Sequence, residues 1–356
     1  MTLKLQIPPL NLQSNSKKTS VHDTLDRQLH DLRLSVIDRC NFRCNYCMPQ
    51  GSNPSRYSFL HEKEWLTLKE IVRLSTLFAQ LGVSKLRISG GEPLLRPNLA
   101  ELIHQLSLID GIEDLALTTN GSLLSQQADS LKKAGLNRIT VSLDTLDPQL
   151  FKRINGHKGT VEQVLKGIEE AVRVNFDCVK INVVVQKGIN DHHILDLVEY
   201  FKGKKPILRF IEFMDAGNCN NWKAQDVLPA SEIVKIIHAY YPIEPLKPNY
   251  WGEVASRYKF MDGSGEVGFI SSVTQPFCRS CTRARLSTDG KIYACLFSPH
   301  CTDLRKLLRE GHSDEALLNL ILKVWQSRDD RYSELRPQIR ASHVQSAKIE
   351  MFQIGG

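Results

Sequence analysis

Three cysteines at Cys40-x3-Cys44-x2-Cys47 and three more at Cys278-x2-Cys281-x13-Cys295 are the residues whose type and spacing most directly promise chemistry. The first triplet fits within one loop, and three such thiolates hold three irons of a four-iron cubane while a fourth iron stays open to an outside ligand. A zinc ion completed by a distant ligand is the competing use of the same spacing. The last two cysteines of the second group bracket Asp289-Gly290, a strong hairpin signal. Cysteine knuckles on hairpins are also a zinc device, and Cys301 or His300 stands near enough in sequence to supply a fourth ligand. Spacing alone therefore leaves zinc and a second iron–sulfur cluster open at this position. Nine cysteines is an odd number, and six fall in these two groups, which fits metal binding better than a disulfide framework. Cys178, Cys219 and Cys301 receive no role.

The elements that must position these groups follow from periodicity. Short β-rich runs at Leu32–Ile37, Lys85–Ser89, Leu115–Thr119, Arg138–Leu143, Val179–Val185 and Leu208–Phe213 alternate with amphipathic helical patterns. The helices are expected at Leu68–Leu81, Asn98–Leu108, Ser122–Ala134, Val161–Val174 and Ile194–Phe201. Six such units predict an α/β fold with a parallel sheet, curled into a partial (β/α)6 TIM-type barrel with its reactive loops at the carboxyl ends of the strands, although an open doubly wound sheet would give much the same pattern. After Met214 the alternation fades. Gly217–Trp222 and Pro242–Gly252 read as loops, and Val267–Ser271, Arg283–Ser287 and Lys291–Ala294 as short strands. Helical patterns return at Leu304–Leu308 and Asp314–Trp325. The expected organisation is a poorly ordered leader over 1–30, a barrel over 31–215 and a small C-terminal region over 216–356 carrying the second cysteine group.

Composition narrows the function classes. With 356 residues, 42% of them hydrophobic, the chain is long enough to bury a core without disulfides. It has no apolar run of membrane-spanning length and no signal-peptide pattern, so a soluble cytoplasmic protein is expected. A net charge of +7, spread along the chain, permits an anionic ligand without demanding nucleic acid. Among the basic residues at strand positions or beside a cysteine group, seven are singled out: Arg33, Lys85, Arg87, Lys180, Arg209, Arg283 and Arg285. Such an array suits a polyphosphate, which arginine meets bidentately. After the second strand comes Ser89-Gly90-Gly91-Glu92-Pro93, whose paired glycines let backbone groups approach a ligand closely.

The first cysteine triplet, its Asn41-Phe42-Arg43 filling, Tyr46 and Gly90-Gly91-Glu92-Pro93 together resemble the radical S-adenosylmethionine (SAM) superfamily. There the open iron chelates SAM, and an electron from the cluster cleaves the sulfonium to a 5′-deoxyadenosyl radical. Phe277-Cys278-Arg279-Ser280-Cys281-Thr282-Arg283-Ala284-Arg285-Leu286-Ser287, with Asp289-Gly290-Lys291 and Cys295-Leu296-Phe297, resembles the C-terminal signature of the MoaA family, the GTP 3′,8-cyclases. Asp31-Leu32-Arg33-Leu34-Ser35, Cys47-Met48-Pro49, Thr118-Thr119-Asn120-Gly121, Val141-Ser142-Leu143-Asp144, Lys180-Ile181-Asn182, Arg209-Phe210-Ile211-Glu212-Phe213-Met214 and the closing Gly355-Gly356 follow the same family order. Leu25-Asp26-Arg27 departs from it, standing where the family often has Phe-Gly-Arg.

The resemblance implies two [4Fe–4S] clusters, on Cys40, Cys44 and Cys47 and on Cys278, Cys281 and Cys295, the second binding guanine through its open iron. It implies GTP contacts at Arg33, Arg87, Thr118, Lys180, Arg283, Ala284 and Arg285, and less firmly at Lys85 and Arg209. SAM contacts fall on Tyr46, Gly91, Ser142 and Met214. Gly355 and Gly356 reach the active site as a tail, and no other catalytic side chain is implied. The implied reaction removes the ribose 3′ hydrogen of GTP, joins C3′ to guanine C8 and gives (8S)-3′,8-cyclo-7,8-dihydroguanosine 5′-triphosphate, the first step of molybdenum cofactor biosynthesis. Its partners would be an external electron donor and a downstream cyclic pyranopterin monophosphate synthase, with no membrane or nucleic acid, and a homodimer is compatible with it.

Overall fold

The structure, a computed structural model, describes residues 20–48, 59–218, 220–341 and 348–355. Its strands are β1 (Asp31–Ser35), β2 (Lys85–Ser89), β3 (Asp114–Thr119), β4 (Arg138–Ser142), β5 (Cys178–Val185), β6 (Ile207–Glu212), β7 (Ile243–Leu246), β8 (Ser256–Phe260), β9 (Glu266–Ile270), β10 (Arg283–Leu286), β11 (Lys291–Tyr293) and β12 (Thr302–Asp303). They form one sheet in the order β12-β11-β10-β1-β2-β3-β4-β5-β6-β9-β8-β7. From β10 through β1–β6 to β9 every neighbouring pair is parallel. The six expected strands are all present.

Alternation sets the two faces of this wall. In β5, Val179, Ile181, Val183 and Val185 are buried while Lys180, Asn182 and Val184 point the other way. The buried set meets the helices α1 (Leu68–Gln80), α2 (Leu99–Ser107), α3 (Leu124–Lys133), α4 (Pro148–Ile154), α5 (Val161–Arg173) and α6 (Ile194–Phe201) in a single apolar core. Helix α1 shows why the sequence places it there. Thr67 caps it, accepting from Glu70 N at 3.2 Å while Glu70 accepts from Thr67 N at 2.7 Å, and Ile71, Leu74, Leu77 and Phe78 then line its buried face. The remaining helices are α7 (Ala230–Tyr240), α8 (Leu304–Arg309), α9 (Asp314–Gln326), α10 (Tyr332–Ala341) and α11 (Met351–Ile354). Among the described residues no helix is long and apolar enough to cross a membrane.

Three expectations need correction. The boundary at 215/216 does not interrupt the sheet, because β9 joins β6 at one side of the wall and β10 joins β1 at the other. Part of Pro242–Gly252, expected as loop, is strand β7; Pro245 lacks a donor, and β7 is an edge strand, where the missing N–H breaks no ladder. Residues 20–30, expected in the leader, are packed: Val21 and Leu29 are buried, and Asp23 pairs with Arg27 at 2.6 Å, both side chains fully enclosed. Arg27 Nη1 also donates to Cys278 O at 3.0 Å and Asp330 O at 2.8 Å, and Trp325 Nε1 donates to Arg27 O at 3.0 Å. The Asp23 carboxylate and most of the Arg27 guanidinium thus find partners inside the fold. Asp26 has φ +58°, which explains a glycine preference at this position, and Asp tolerates the same left-handed conformation.

Candidate active site

The Cys40–Cys47 loop leaves the carboxyl end of β1 and is held by its own filling. Asn41 donates to Ser122 Oγ at 2.9 Å and accepts from Asn120 Nδ2 at 2.7 Å, Phe42 is buried against Phe151, and Arg43 donates to the carbonyls of Cys40 and Phe42. The glycine pair of the next loop locks onto it. Gly91 N donates to Ile37 O at 2.7 Å and Glu92 N to Arg39 O at 2.9 Å. A Cβ on Gly90 would strike Ile37 O and one on Gly91 would strike Arg39 O, so both residues must be glycine for the two loops to touch. Glu92, almost fully buried, accepts from Thr119 Oγ1 and Asn120 N at 2.7 Å and Leu94 N at 3.0 Å, tying the β2 and β3 loops together. Burial lifts its carboxyl to about 7.

These loops enclose a cavity of about 180 Å³ lined by Cys40, Cys44 and Cys47 together with Tyr46, Gly91, Ser142 and Met214. All four residues expected at SAM are therefore on the wall that carries the first triplet. Tyr46 donates to Asp144 Oδ2 at 2.6 Å, and burial raises that carboxyl to about 6. Burial also pushes the Cys40 thiol up to about 11 and Cys47 to about 12. A cation must therefore displace their protons on binding.

A second cavity, of about 190 Å³, is lined by Cys278, Cys281 and Cys295 and by all seven basic residues singled out in the sequence. Register builds its centre: Arg285, Arg33 and Arg87 stand opposite one another on adjacent strands β10, β1 and β2. Arg87 Nη1 donates to Thr118 and Thr140 hydroxyls, each at 3.2 Å, so Thr118 supports an arginine as well as lining the wall. The cations lack enough anions to balance them. Burial first, then Arg283, brings Arg285 down to about 10, and burial with Arg87 brings Arg209 to about 9. Lys180 falls to about 8 through burial and Arg209, and Arg33 is lowered by burial and by Arg285, Arg283 and Arg87. The Nε atoms of Arg283, Arg285 and Arg328 are buried without a hydrogen-bond partner. Cys281 is the exception among the buried thiols: burial pushes it up, but Arg283 and Arg328, whose guanidinium nitrogens each lie 3.3 Å from Sγ, outweigh that and bring it to about 5.

Thr118, Asn182, Ile211 and Met214 line both cavities, so the two chambers meet there. Ala284 does not line either one: between two chamber arginines, strand alternation turns its side chain into the core, which leaves its backbone for the expected GTP contact. Gly355 lies beside Ser89, while Gly356 and Cys219 lie outside the described residues. Cys301 and His300 are exposed and off the chamber wall, and Cys178 begins β5 away from both cavities. Sequence reasoning missed three wall residues. Arg138 opens β4, the same signal that marked Lys85, and forms an ion pair with Asp114. Arg328 follows α9 and carried no signal. Tyr250 accepts from Lys85 Nζ at 3.0 Å, with the ammonium 4.2 Å from its ring centre.

The donor sets fit the implied groups: three thiols share the wall of each cavity, and the arginines offer unpaired donors to an anion. The Radical SAM superfamily model matches residues 34–201, and the Molybdenum Cofactor Synthesis C model matches residues 207–334. A GTP 3′,8-cyclase of Xanthomonas campestris pv. campestris is 50% identical over 337 residues, 94% of this chain and 97% of that protein. Another, from Staphylococcus epidermidis, is 46% identical over 340 residues, 95% of this chain and all of its own length. In solved structures, Streptococcus suis SuiB bound to S-adenosylmethionine shares the fold at 16% identity, with a TM-score of 0.59 over 87% of this chain and 68% of that one. A radical SAM enzyme by its fold and its family model, with relatives this similar along nearly its whole length, the chain belongs to the GTP 3′,8-cyclase family.

Proposed function

We propose that the protein converts GTP to (8S)-3′,8-cyclo-7,8-dihydroguanosine 5′-triphosphate, the first step of molybdenum cofactor biosynthesis. One observation carries the reading: two three-thiol groups line adjoining chambers, and the chamber at the second group is crowded with underbalanced cations. Cys40, Cys44 and Cys47 would hold one [4Fe–4S] cluster, with Tyr46, Gly91, Ser142 and Met214 around SAM. Cys278, Cys281 and Cys295 would hold the other, facing guanine. When bound, these groups supply a hydrogen-abstracting carbon radical at the first site and an open iron for the base at the second.

The protein's own share is placement. Arg33, Arg87, Lys180, Arg283 and Arg285, with Lys85 and Arg209, take the triphosphate, whose charge relieves their mutual repulsion. Thr118 and Met214, on the wall common to both chambers, bring the ribose C3′ towards the SAM side while guanine stays with the second thiol group. Holding C3′ and C8 in a near-attack geometry is a contribution a scaffold can make to such a ring closure without a reacting side chain. An external donor supplies electrons, and a downstream cyclic pyranopterin monophosphate synthase consumes the product. Functionally the chain divides into a SAM half, 31–215, and a C-terminal half that completes the GTP chamber.

The first test is metal content after anaerobic purification, followed by GTP turnover. About eight irons with matching sulfide per chain is the expected result. About four irons with one zinc would leave the radical reaction standing and remove the guanine-binding cluster. The charge argument makes its own prediction. Arg33→Met should weaken GTP binding about 10- to 150-fold, the loss of a hydrogen bond between charged groups. The same variant should raise the thermal midpoint of the ligand-free protein, because it removes one of several like charges. Calorimetry reads both, and a fall in both would show that Arg33 is only structural.

A further inference from the structure

The C-terminal segment 348–355 is tied to the barrel at two strand ends. Beyond β6, Lys348 Nζ donates to Asp215 O at 2.7 Å and pairs with its carboxylate at 3.0 Å. Asn218 clasps the same segment in both directions. Its Oδ1 accepts from Lys348 N at 3.0 Å, and its Nδ2 donates to Lys348 O and, at 2.9 Å, to Glu350 Oε1. The backbone N of Asn218 adds a bond to Glu350 Oε1 at 3.0 Å. Between them Gly217, at φ +75°, has no Cβ in the place where the Glu350 carboxylate lies. Asp215 is itself braced by Tyr332 OH at 2.6 Å and Arg336 Nε at 3.0 Å.

The other attachment is beyond β2. Gly355, at φ +70°, lies so close to Ser89 that any side chain would strike its Oγ, a buried oxygen with no hydrogen-bond partner among the described residues. Between the two points α11 puts Met351 on the wall of the first cavity and buries Phe352 and Ile354. The segment thus runs along the SAM-side chamber from the end of β6 to the end of β2.

We propose that residues 215–218 are a seat that positions the tail, with Gly217 and Asn218 as positioning residues for a reaction they do not touch. The inference rests on the cyclase reading for its consequence but not for its geometry. Met214, the residue before the seat, lines both chambers, so one short stretch sets the wall shared by both ligands and the strap over one of them. A tail freed from the seat would leave the SAM side open to water, and radical generation would no longer lead to ring closure.

The test uses the full-length, cluster-loaded protein. Carboxypeptidase digestion followed by mass spectrometry should remove the terminal residues of Asn218→Ala about tenfold faster than those of the wild type, as expected when a local opening loses three hydrogen bonds that held it closed. Iron content should stay the same, and cyclised GTP per SAM cleaved should fall about tenfold. Gly217→Ala, which adds a methyl where the Glu350 carboxylate sits, should do likewise while keeping every hydrogen-bonding side chain. Unchanged digestion in both variants, or a wild-type tail digested as fast as theirs, overturns the seat. Because digestion needs no turnover, it reads the seat even if the protein cyclised no GTP.

Discussion

Cys295→Ser should yield a protein with about half its iron and no GTP cyclisation, while Cys301→Ser keeps both. The two cysteines lie six residues apart, and spacing alone allows either to complete the second group. Their places in the fold differ. Cys295 follows β11, whose pairing with β10 sets Tyr293 opposite Arg285, and it lines the chamber with Cys278 and Cys281. Cys301 is exposed just before β12 and does not line that wall. A serine hydroxyl is a poor substitute for a thiolate on iron, so one substitution should empty the site. Iron and sulfide analysis with product chromatography separates the two variants. The reverse pattern would move the third ligand to Cys301 and take the proposed guanine position with it.

Deleting Gly355 and Gly356 should leave iron content and SAM binding intact yet lower product formation by about 10²-fold or more. Gly355 adopts a left-handed conformation against Ser89, beside the Gly90-Gly91 turn that grips the first cysteine loop. A larger residue there needs both an unfavourable φ and a shift of that turn, so Gly355→Val should approach the effect of the deletion. Parallel assays of iron, SAM affinity and cyclised GTP check it. Full turnover in the truncated protein would show that the tail has no part in the reaction.

Where function follows alternation within one element, the sequence was legible. Lys180 and Asn182 face the chambers because Val179, Ile181 and Val183 face the helices, and that parity is written in β5 itself. The same parity turns the Ala284 side chain into the core between its two arginine neighbours, so only its backbone can serve the contact that the resemblance implies. Long-range order was not legible. Nothing local in β9 or β10 says that they flank β6 and β1, and only that order makes the arginines of three strands neighbours. The packing of residues 20–30 was hidden for a similar reason. Asp23 and Arg27 look solvated in sequence, and their partners, Cys278, Trp325, Arg328 and Asp330, lie some 250 to 300 residues on.

The pairing of β1 with β10 joins residues about 250 positions apart. Parallel pairing over such a distance cannot form until nearly the whole chain has left the ribosome, and its loop-closure entropy makes it a late step. The first cysteine loop needs β1, β2 and β3, their turns, and α4 with Ile154 and Asn155, whose carbonyls accept from Asn45 N and Arg43 N, all complete by residue 155. The two thiol groups thus mature on different clocks. An iron-delivery system meeting the nascent chain would find the first three thiols held in their loop before the second group is complete, and an interrupted chain would carry that loop without the chamber at the second group.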